Sequence, residues 1–216
     1  MRDFLKKLRE GNLMVKNAAI VVAVMFLLTS IGLGQDNRFD VSLSAAGVLS
    51  KRSEGNGAVL TPTQAGGVVA SLRLRFNPKT SVEMNYGRTK NSQNYAASSL
   101  DYRIQSTISE FTGAFLFSPF QAAKLEPFVL VGAGVLAFNP NSTFVDSNPA
   151  SIGAAKQTEI AWLYGAGADY RLFSRFALRL QYRGLVYSAP DFKVTNLFTG
   201  SKGHMAEPSI GLVFKF

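Results

Sequence analysis

The chain has 216 residues with no cysteine, 47% apolar side chains, 17% charged ones and a formal net charge of +9. That composition argues against a disordered tail and against a disulfide-stapled module. Ordinary soluble domains carry about 25% charged residues; a chain this short of charge, yet holding 17 Phe, 7 Tyr and 19 Gly, is expected to have part of its outside covered by something other than water.

Residues 1–17 carry Arg2, Lys6, Lys7, Arg9 and Lys16, and the apolar stretch Ala18 to Leu33 that follows has Thr29 and Ser30 as its polar members. This is the order of a secretory signal, a basic segment and then an apolar one. A membrane-spanning helix needs about 20 apolar residues, whereas this run has 16 before Gln35-Asp36-Asn37-Arg38 turns polar. Gly32 and Gly34 at −3 and −1 place cleavage before Gln35, making 1–34 a signal peptide and 35–216 one domain; an uncleaved anchor is the alternative. Met14–Gly34 alone also makes a complete signal, so Met14 is a second candidate start. Without 1–34 the chain keeps 18 basic and 12 acidic residues, net +6 on 182. No later window holds 18 apolar residues in a row, which excludes a helical membrane protein.

From Phe39 onward apolar residues recur at every second position, the period of a strand. Phe39, Val41, Leu43 and Ala45 oppose Asp40, Ser42 and Ser44. Val68, Ala70, Leu72, Leu74 and Phe76 oppose Ser71, Arg73 and Arg75, and Val82, Met84 and Tyr86 oppose Ser81, Glu83 and Asn85. In a fourth segment Phe111, Gly113, Phe115 and Phe117 stand against Glu110, Thr112 and Ala114; Ile104 and Ile108 have the wrong parity, which a bulge would explain. A fifth, Pro127–Phe138, is apolar on both faces and its facing stays open. In the sixth Ile160, Trp162, Tyr164, Ala166, Ala168, Tyr170 and Leu172 alternate with Gly165, Gly167, Asp169 and Arg171. The seventh sets Phe176, Leu178, Leu180, Tyr182 and Val186 against Arg179, Gln181 and Arg183. The eighth sets Ala206, Pro208, Ile210, Leu212, Phe214 and Phe216 against Glu207, Ser209, Gly211 and Lys215.

The connections alternate between short ones (Asn77–Thr80, Ser118–Lys124, Phe173–Arg175) and long ones (Leu49–Ala65, Lys90–Asp101, Asn139–Thr158, Ser188–Gly203). Sorted turns of this kind are the pattern of an eight-stranded antiparallel up-and-down transmembrane β-barrel, all-β, with short turns on the periplasmic side. One face is apolar, and the other collects Asp40, Arg73, Arg75, Glu83, Glu110, Asp169, Arg171, Arg179, Arg183, Glu207 and Lys215, six basic and five acidic residues. The apolar face is therefore expected outside. Charges inside a small barrel are tolerated only as pairs and networks, and eight strands leave a lumen that side chains can fill. A plugged, polar-cored barrel follows, with Arg73, Arg75, Glu83, Glu110, Asp169, Arg171, Arg179, Arg183 and Glu207 as its interior charge network. A soluble, lipocalin-like barrel facing the other way is the alternative architecture.

Three segments carry a resemblance: Pro127-Phe128-Val129-Leu130-Val131-Gly132-Ala133-Gly134, then Tyr164-Gly165-Ala166-Gly167-Ala168-Asp169-Tyr170-Arg171-Leu172, and the terminal Ile210-Gly211-Leu212-Val213-Phe214-Lys215-Phe216. With them, residues 39–216 resemble the small outer-membrane β-barrel family that includes the OmpA transmembrane domain, OmpX and the opacity- and Ail-type surface proteins. The resemblance implies the outer membrane of a Gram-negative type bacterium as location. It also implies that Ile210, Leu212, Phe214 and Phe216 form the C-terminal signal read by the barrel assembly machinery, by edge pairing of an unpaired strand. The chain ends at its eighth strand, so the cell-wall-binding domain that follows the OmpA barrel is not expected here.

Some relatives of this kind modify lipids or cut peptides, which needs a histidine near a serine or carboxylates. The single histidine, His204, lies near Ser201 and Glu207, but three positions along a strand put His204 and Glu207 on opposite faces. No catalytic residue is assigned, and one histidine without cysteine offers few ligands to a transition metal; no cofactor is expected. Gly132-Ala133-Gly134 and Gly165-Ala166-Gly167 lack the third glycine and the helix of a dinucleotide site, and are expected where a bulky side chain crosses the barrel or an aromatic covers the gap. The basic residues alternate instead of clustering, so no nucleic acid is expected. Function falls to the long loops. The fourth, Pro190-Asp191-Phe192-Lys193-Val194-Thr195-Asn196-Leu197-Phe198, is the most apolar, a sticky tip or a strand extension. The expected partners are outer-membrane lipid and lipopolysaccharide, the assembly machinery, and host or cell-surface ligands. A narrow conduit for small or apolar solutes, like the OmpW group, is the alternative function, and a lipid-modifying enzyme dependent on His204 a third.

Overall fold

The computed structural model describes residues 38–97, 100–120 and 122–216; the signal segment 1–34, with its cleavage site and the second start at Met14, lies outside the described residues. Among the described residues eleven strands follow one another: β1 (Phe39–Ser50), β2 (Ser53–Gly55), β3 (Ala58–Pro62), β4 (Ala65–Asn77), β5 (Thr80–Ala97), β6 (Leu100–Phe117), β7 (Leu125–Val145), β8 (Asn148–Pro149), β9 (Gln157–Arg171), β10 (Phe176–Ser188) and β11 (Lys202–Lys215). A 3₁₀ turn, Thr195–Leu197, interrupts the connection before β11. β1, β4, β5, β6, β7, β9, β10 and β11 are the eight staves of the barrel, each antiparallel to the next. Closure comes from β1 against β11, with Val41 opposite Phe214, Leu43 opposite Leu212 and Ala45 opposite Ile210. Closing the sheet leaves no barrel strand with an open edge.

Its polarity is inverted relative to a soluble barrel. Trp162 is 67% exposed and Ile160 70%, whereas Arg73, Arg179 and Arg183 are each 1% exposed. The alternation makes this arrangement self-consistent: every second residue of each stave faces out, and across the apolar belt the large ones among them are Leu, Val, Ile, Met, Phe, Tyr and Trp.

The staves are longer than the 9–11 residues that cross a bilayer. β5 and β6 have 18 residues each and β7 has 21, and the excess projects beyond the barrel at the end bearing the long connections. Of the stretch Lys90–Asp101, expected as a loop, the described residues are accordingly strand: β5 runs to Ala97, β6 begins at Leu100, and Asn94 pairs with Arg103. Periodicity persists there, but on polar residues, which a search for apolar alternation passes over. The β2–β3 hairpin joins this projection, with Leu60 opposite Tyr95.

Ile104 and Ile108 need no bulge in β6. Both share the inward parity of Glu110 and are fully buried, because the lumen at their level is apolar. The irregularity sits across from them, where Gln105 and Ser106 pair with Ser142 and Pro140 and Asn141 is bulged out of β7. β7 itself sends Phe128, Leu130, Leu136 and Phe138 inward and Val129, Val131 and Val135 outward. At the opposite end the turn Asn77–Thr80 closes on the Asn77 side chain, whose Oδ1 accepts from the backbone N–H groups of Lys79 and Thr80 at 2.9 Å each, an Asx turn.

Candidate functional site: the filled lumen and the outer face

Three layers of charge fill the half of the lumen nearer the short turns. In the middle layer Arg179 grips Asp169 with Nε and Nη2 at 2.7 and 2.9 Å and reaches Glu83 with Nη1 at 2.9 Å. Arg73 donates to the same two carboxylates, at 3.0 Å to Glu83 and 3.2 Å to Asp169. The result is a closed ring of two guanidiniums and two carboxylates from β4, β5, β9 and β10. Phe128 lies against it, with the guanidinium carbons of Arg73 and Arg179 at 4.4 and 5.4 Å from its ring centre, a double cation–π contact in a desolvated site. The ring fits because position 167 is glycine: a Cβ there would stand 2.6 Å from Phe128 Cζ.

The layer on the loop side is Arg183, bidentate on Glu110 at 2.9 Å for both bonds and also bonded to Glu207. The layer on the turn side holds Arg75, which bonds Asp40 at 2.7 Å and also Glu126, and Lys215, which reaches Glu126 at 3.1 Å. Of the nine residues expected in the network, Arg73, Arg75, Glu83, Glu110, Asp169, Arg179, Arg183 and Glu207 thus meet inside the barrel. Arg171, the ninth, is the last residue of β9 and stands exposed at the rim, because the alternation that points 165, 167 and 169 inward ends with the strand. Glu126 takes the place assigned to Arg171. It is the second residue of β7 and has the inward parity of Phe128, but it precedes the Pro127 start that the apolar run suggests. With that exchange the lumen holds five basic and six acidic side chains.

Above the Arg183 layer the lumen changes character. Leu60, Tyr95, Ile104, Leu136, Phe138, Leu163, Leu185, Tyr187 and Met205 form an apolar cup, and Phe192 and Leu197 of the fourth long connection fill it, both fully buried. This connection is therefore neither a sticky tip nor a strand extension; it folds inward as a plug. Gln157 Oε1 accepts from the backbone N–H groups of Asp191 and Phe192 at 3.0 and 2.6 Å, and the Tyr95 hydroxyl donates to the Pro190 carbonyl at 2.6 Å. Phe192 packs edge-on against Phe138 and Tyr95, ring centres 6.3 and 6.5 Å apart. A cavity beside the Arg183 layer, lined by Ile108, Glu110, Met205 and Glu207, has about 10 Å³, one water at most; a second, of about 240 Å³, opens at the turn end between Glu126, Asp169 and Lys215.

His204 faces outward from β11. Its Nε2 lies 2.7 Å from the Tyr164 hydroxyl, whose ring spans β10 across Gly184; a Cβ on Gly184 would meet the ring of Tyr164. Ser201 Oγ bonds instead to the Glu54 carbonyl, and Glu207 is inside on Arg183, so the three candidates for a triad face three different surroundings. At the C-terminus Ile210 and Leu212 are exposed on the apolar belt and the Phe214 ring packs at a tilt against Phe176, centres 5.1 Å apart; Phe216 follows the last residue of β11.

A closed antiparallel barrel with an apolar exterior, a charged interior and turns sorted by length is an integral membrane β-barrel. The profile of the family described as "Outer membrane protein beta-barrel domain" matches residues 19–216. The chain belongs to that family, and the protein resides in the outer membrane of a Gram-negative bacterium, long connections outward and short turns toward the periplasm. Among solved structures it is similar to Neisserial surface protein A, with TM-score 0.55, 17% identity, and 82% of this chain and 97% of that one covered. It is also similar to the outer membrane protein OprG from Pseudomonas aeruginosa, with TM-score 0.51, 15% identity, and 82% and 95% covered. At these identities the likeness extends to the fold. No curated protein sequence matches the chain significantly.

Proposed function

We propose that this barrel is a structural and surface-interaction protein without enzymatic activity, whose working surface is the extracellular projection and not the lumen. The observation that supports this reading is the double filling of the lumen: three ion-paired layers on the periplasmic side and an apolar plug, centred on Phe192 and Leu197, on the outer side. A solute entering from either end meets paired guanidiniums and carboxylates or the packed Phe192 and Leu197. The β5–β6 projection, the β2–β3 hairpin and the outer loops stand on a rigid closed sheet, the setting in which loops carry recognition. On this reading the partners are outer-membrane lipid with its lipopolysaccharide and ligands of a host or another cell surface, with the assembly machinery meeting the chain during insertion through Ile210, Leu212, Phe214 and Phe216.

Planar-bilayer conductance of the purified chain tests it. A heat-modifiable gel shift with no discrete current steps is the expected result. Steady steps from the same folded preparation would replace this reading with a conduit for small solutes.

A further inference from the structure

The outward face of the β5–β6 projection changes chemistry abruptly. Met84 and Tyr86 on β5 and Phe111 on β6 end the apolar belt; the next outward residues of β5 are Arg88 and Lys90, both exposed. Across from them on β6 stand Ser109 and Thr107. Among the described residues neither Arg88 nor Lys90 has a side-chain hydrogen bond or ion pair, and no carboxylate shares the outward face of either strand until Asp101. Basic side chains at this height stand at the level of the lipid phosphates, their stems on apolar surface and their charges in the headgroup layer.

Directly outward the same face opens into a cleft of about 440 Å³. One transverse row of its lining runs Thr61, Asn94, Arg103, Phe144, each residue opposite the next on β3, β5, β6 and β7. A second row, Val59, Ala96 and Asp101, lies beyond it. The Arg103 guanidinium carbon lies over the Phe144 ring, 5.3 Å from its centre, a cation–π contact that restricts the guanidinium at the cleft wall. An aromatic face, an amide, a hydroxyl, a carboxylate and a preset guanidinium around one cleft suit a polyhydroxylated ring bearing an anionic substituent. From Arg88 to Asn94 the strand rises about 20 Å.

We infer that this face binds the phosphorylated saccharide headgroup of an outer-leaflet glycolipid, phosphate on Arg88 and Lys90 and sugar in the cleft around Asn94, Arg103 and Phe144. The inference rests on the reading of the projection as the working surface and gives that surface its ligand class. The membrane is the source because the basic pair is continuous with the lipid-facing belt; a ligand filling both parts starts from the bilayer surface.

The test is native mass spectrometry of the full chain released from mixed micelles of phosphatidylglycerol and a phosphorylated lipid A–core glycolipid. The unaltered chain is expected to retain the glycolipid in preference to phosphatidylglycerol. Arg88→Ala with Lys90→Ala lowers glycolipid retention about ten- to thirty-fold, from two basic groups lost at the headgroup level. Arg103→Leu with Asn94→Leu keeps anionic lipid but abolishes the preference for sugar. All these residues are exposed or on the cleft wall, and an unchanged heat-modifiable shift verifies that each variant is folded. Equal retention of the two lipids by the unaltered chain, or full retention by the Arg88/Lys90 variant, overturns the inference. A free phosphorylated oligosaccharide that binds as tightly as the glycolipid overturns the membrane source. Conductance separates the two readings: a silent barrel without glycolipid preference removes this inference alone, and a conducting barrel that keeps the preference removes the surface-interaction reading alone.

Discussion

Arg179 is the residue on which the lumen depends most. Its guanidinium makes four hydrogen bonds, three to the carboxylates of Asp169 and Glu83 and one to Ser42 Oγ at 3.2 Å, and it lies over Phe128. Arg179→Ala leaves Arg73 to neutralise two buried carboxylates alone, an uncompensated charge in a lumen closed off from water. Breaking such a pair costs about 3–5 kcal/mol, so the heat-modifiable gel transition of the variant is expected at a clearly lower temperature than that of the parent. An unchanged transition would show that Arg73 suffices and that the ring is redundant. Strand alternation makes the arginines and most of their partners legible in the amino-acid sequence. It does not reveal Phe128 at the ring, because β7 is apolar on both faces and its inward set cannot be told from its outward one. Glu126 escapes for a related reason: a charged residue just before an apolar run reads as turn.

At the scale of elements, apolar periodicity marks a strand only where lipid lies on one side of it. Within the membrane it marks seven of the eight staves; β7, apolar on both faces, shows instead as a continuous apolar run. Beyond the membrane β5 and β6 continue with Arg88, Lys90, Ser92, Asn94 and Arg103 facing outward, and the same backbone looks like a loop. The plug is illegible for the opposite reason, since its apolar residues have no period and only the cup, built from β3, β5, β6, β7, β9, β10 and β11, gives them a destination. Phe192 and Lys193 adopt left-handed φ of 55° and 63°, a conformation that side chains other than Gly and Asn adopt at a cost. The plug is therefore held against local strain by few bonds, and Gln157 supplies two of them. Gln157→Ala removes both acceptor contacts, about 1 kcal/mol each, and hydrogen exchange of residues 189–200 is expected to accelerate about thirty-fold while the staves stay protected. Tyr95 adds a dependence on pH. Burial, aided by the nearby Asp191 and Tyr187, pushes its phenol well above the ordinary value of 10.0, so the docked state keeps a proton that the undocked state releases. The sign follows: docking is at full strength below pH 10 and weakens as pH rises through it. Proteolysis of the plug should accelerate above pH 10 in the parent, and the added dependence should vanish in Tyr95→Phe.

At the scale of the molecule the two fillings of the lumen are independent seals of different chemistry. The outer one excludes water by apolar packing, and its parts come from one connection. The inner one is a stack of ion pairs to which every stave contributes: β1 gives Asp40, β4 Arg73 and Arg75, β5 Glu83, β6 Glu110, β7 Glu126, β9 Asp169, β10 Arg179 and Arg183, and β11 Glu207 and Lys215. Hydrated ions can exchange places with water but not with guanidiniums bonded to two carboxylates each. If the inner stack is the true barrier, replacing residues 190–199 by a short Gly/Ser linker opens the apolar cup to the outside without creating a passage. The variant is expected to bind small aromatic probes in the emptied cup, as a dry apolar cavity does, and to remain electrically silent in a planar bilayer. Current steps in that variant would make the plug the sole barrier and the charge stack a lining through which ions move; silence in the linker variant, followed by steps when Arg183→Ala is added, would place the narrowest point at the Arg183, Glu110 and Glu207 layer.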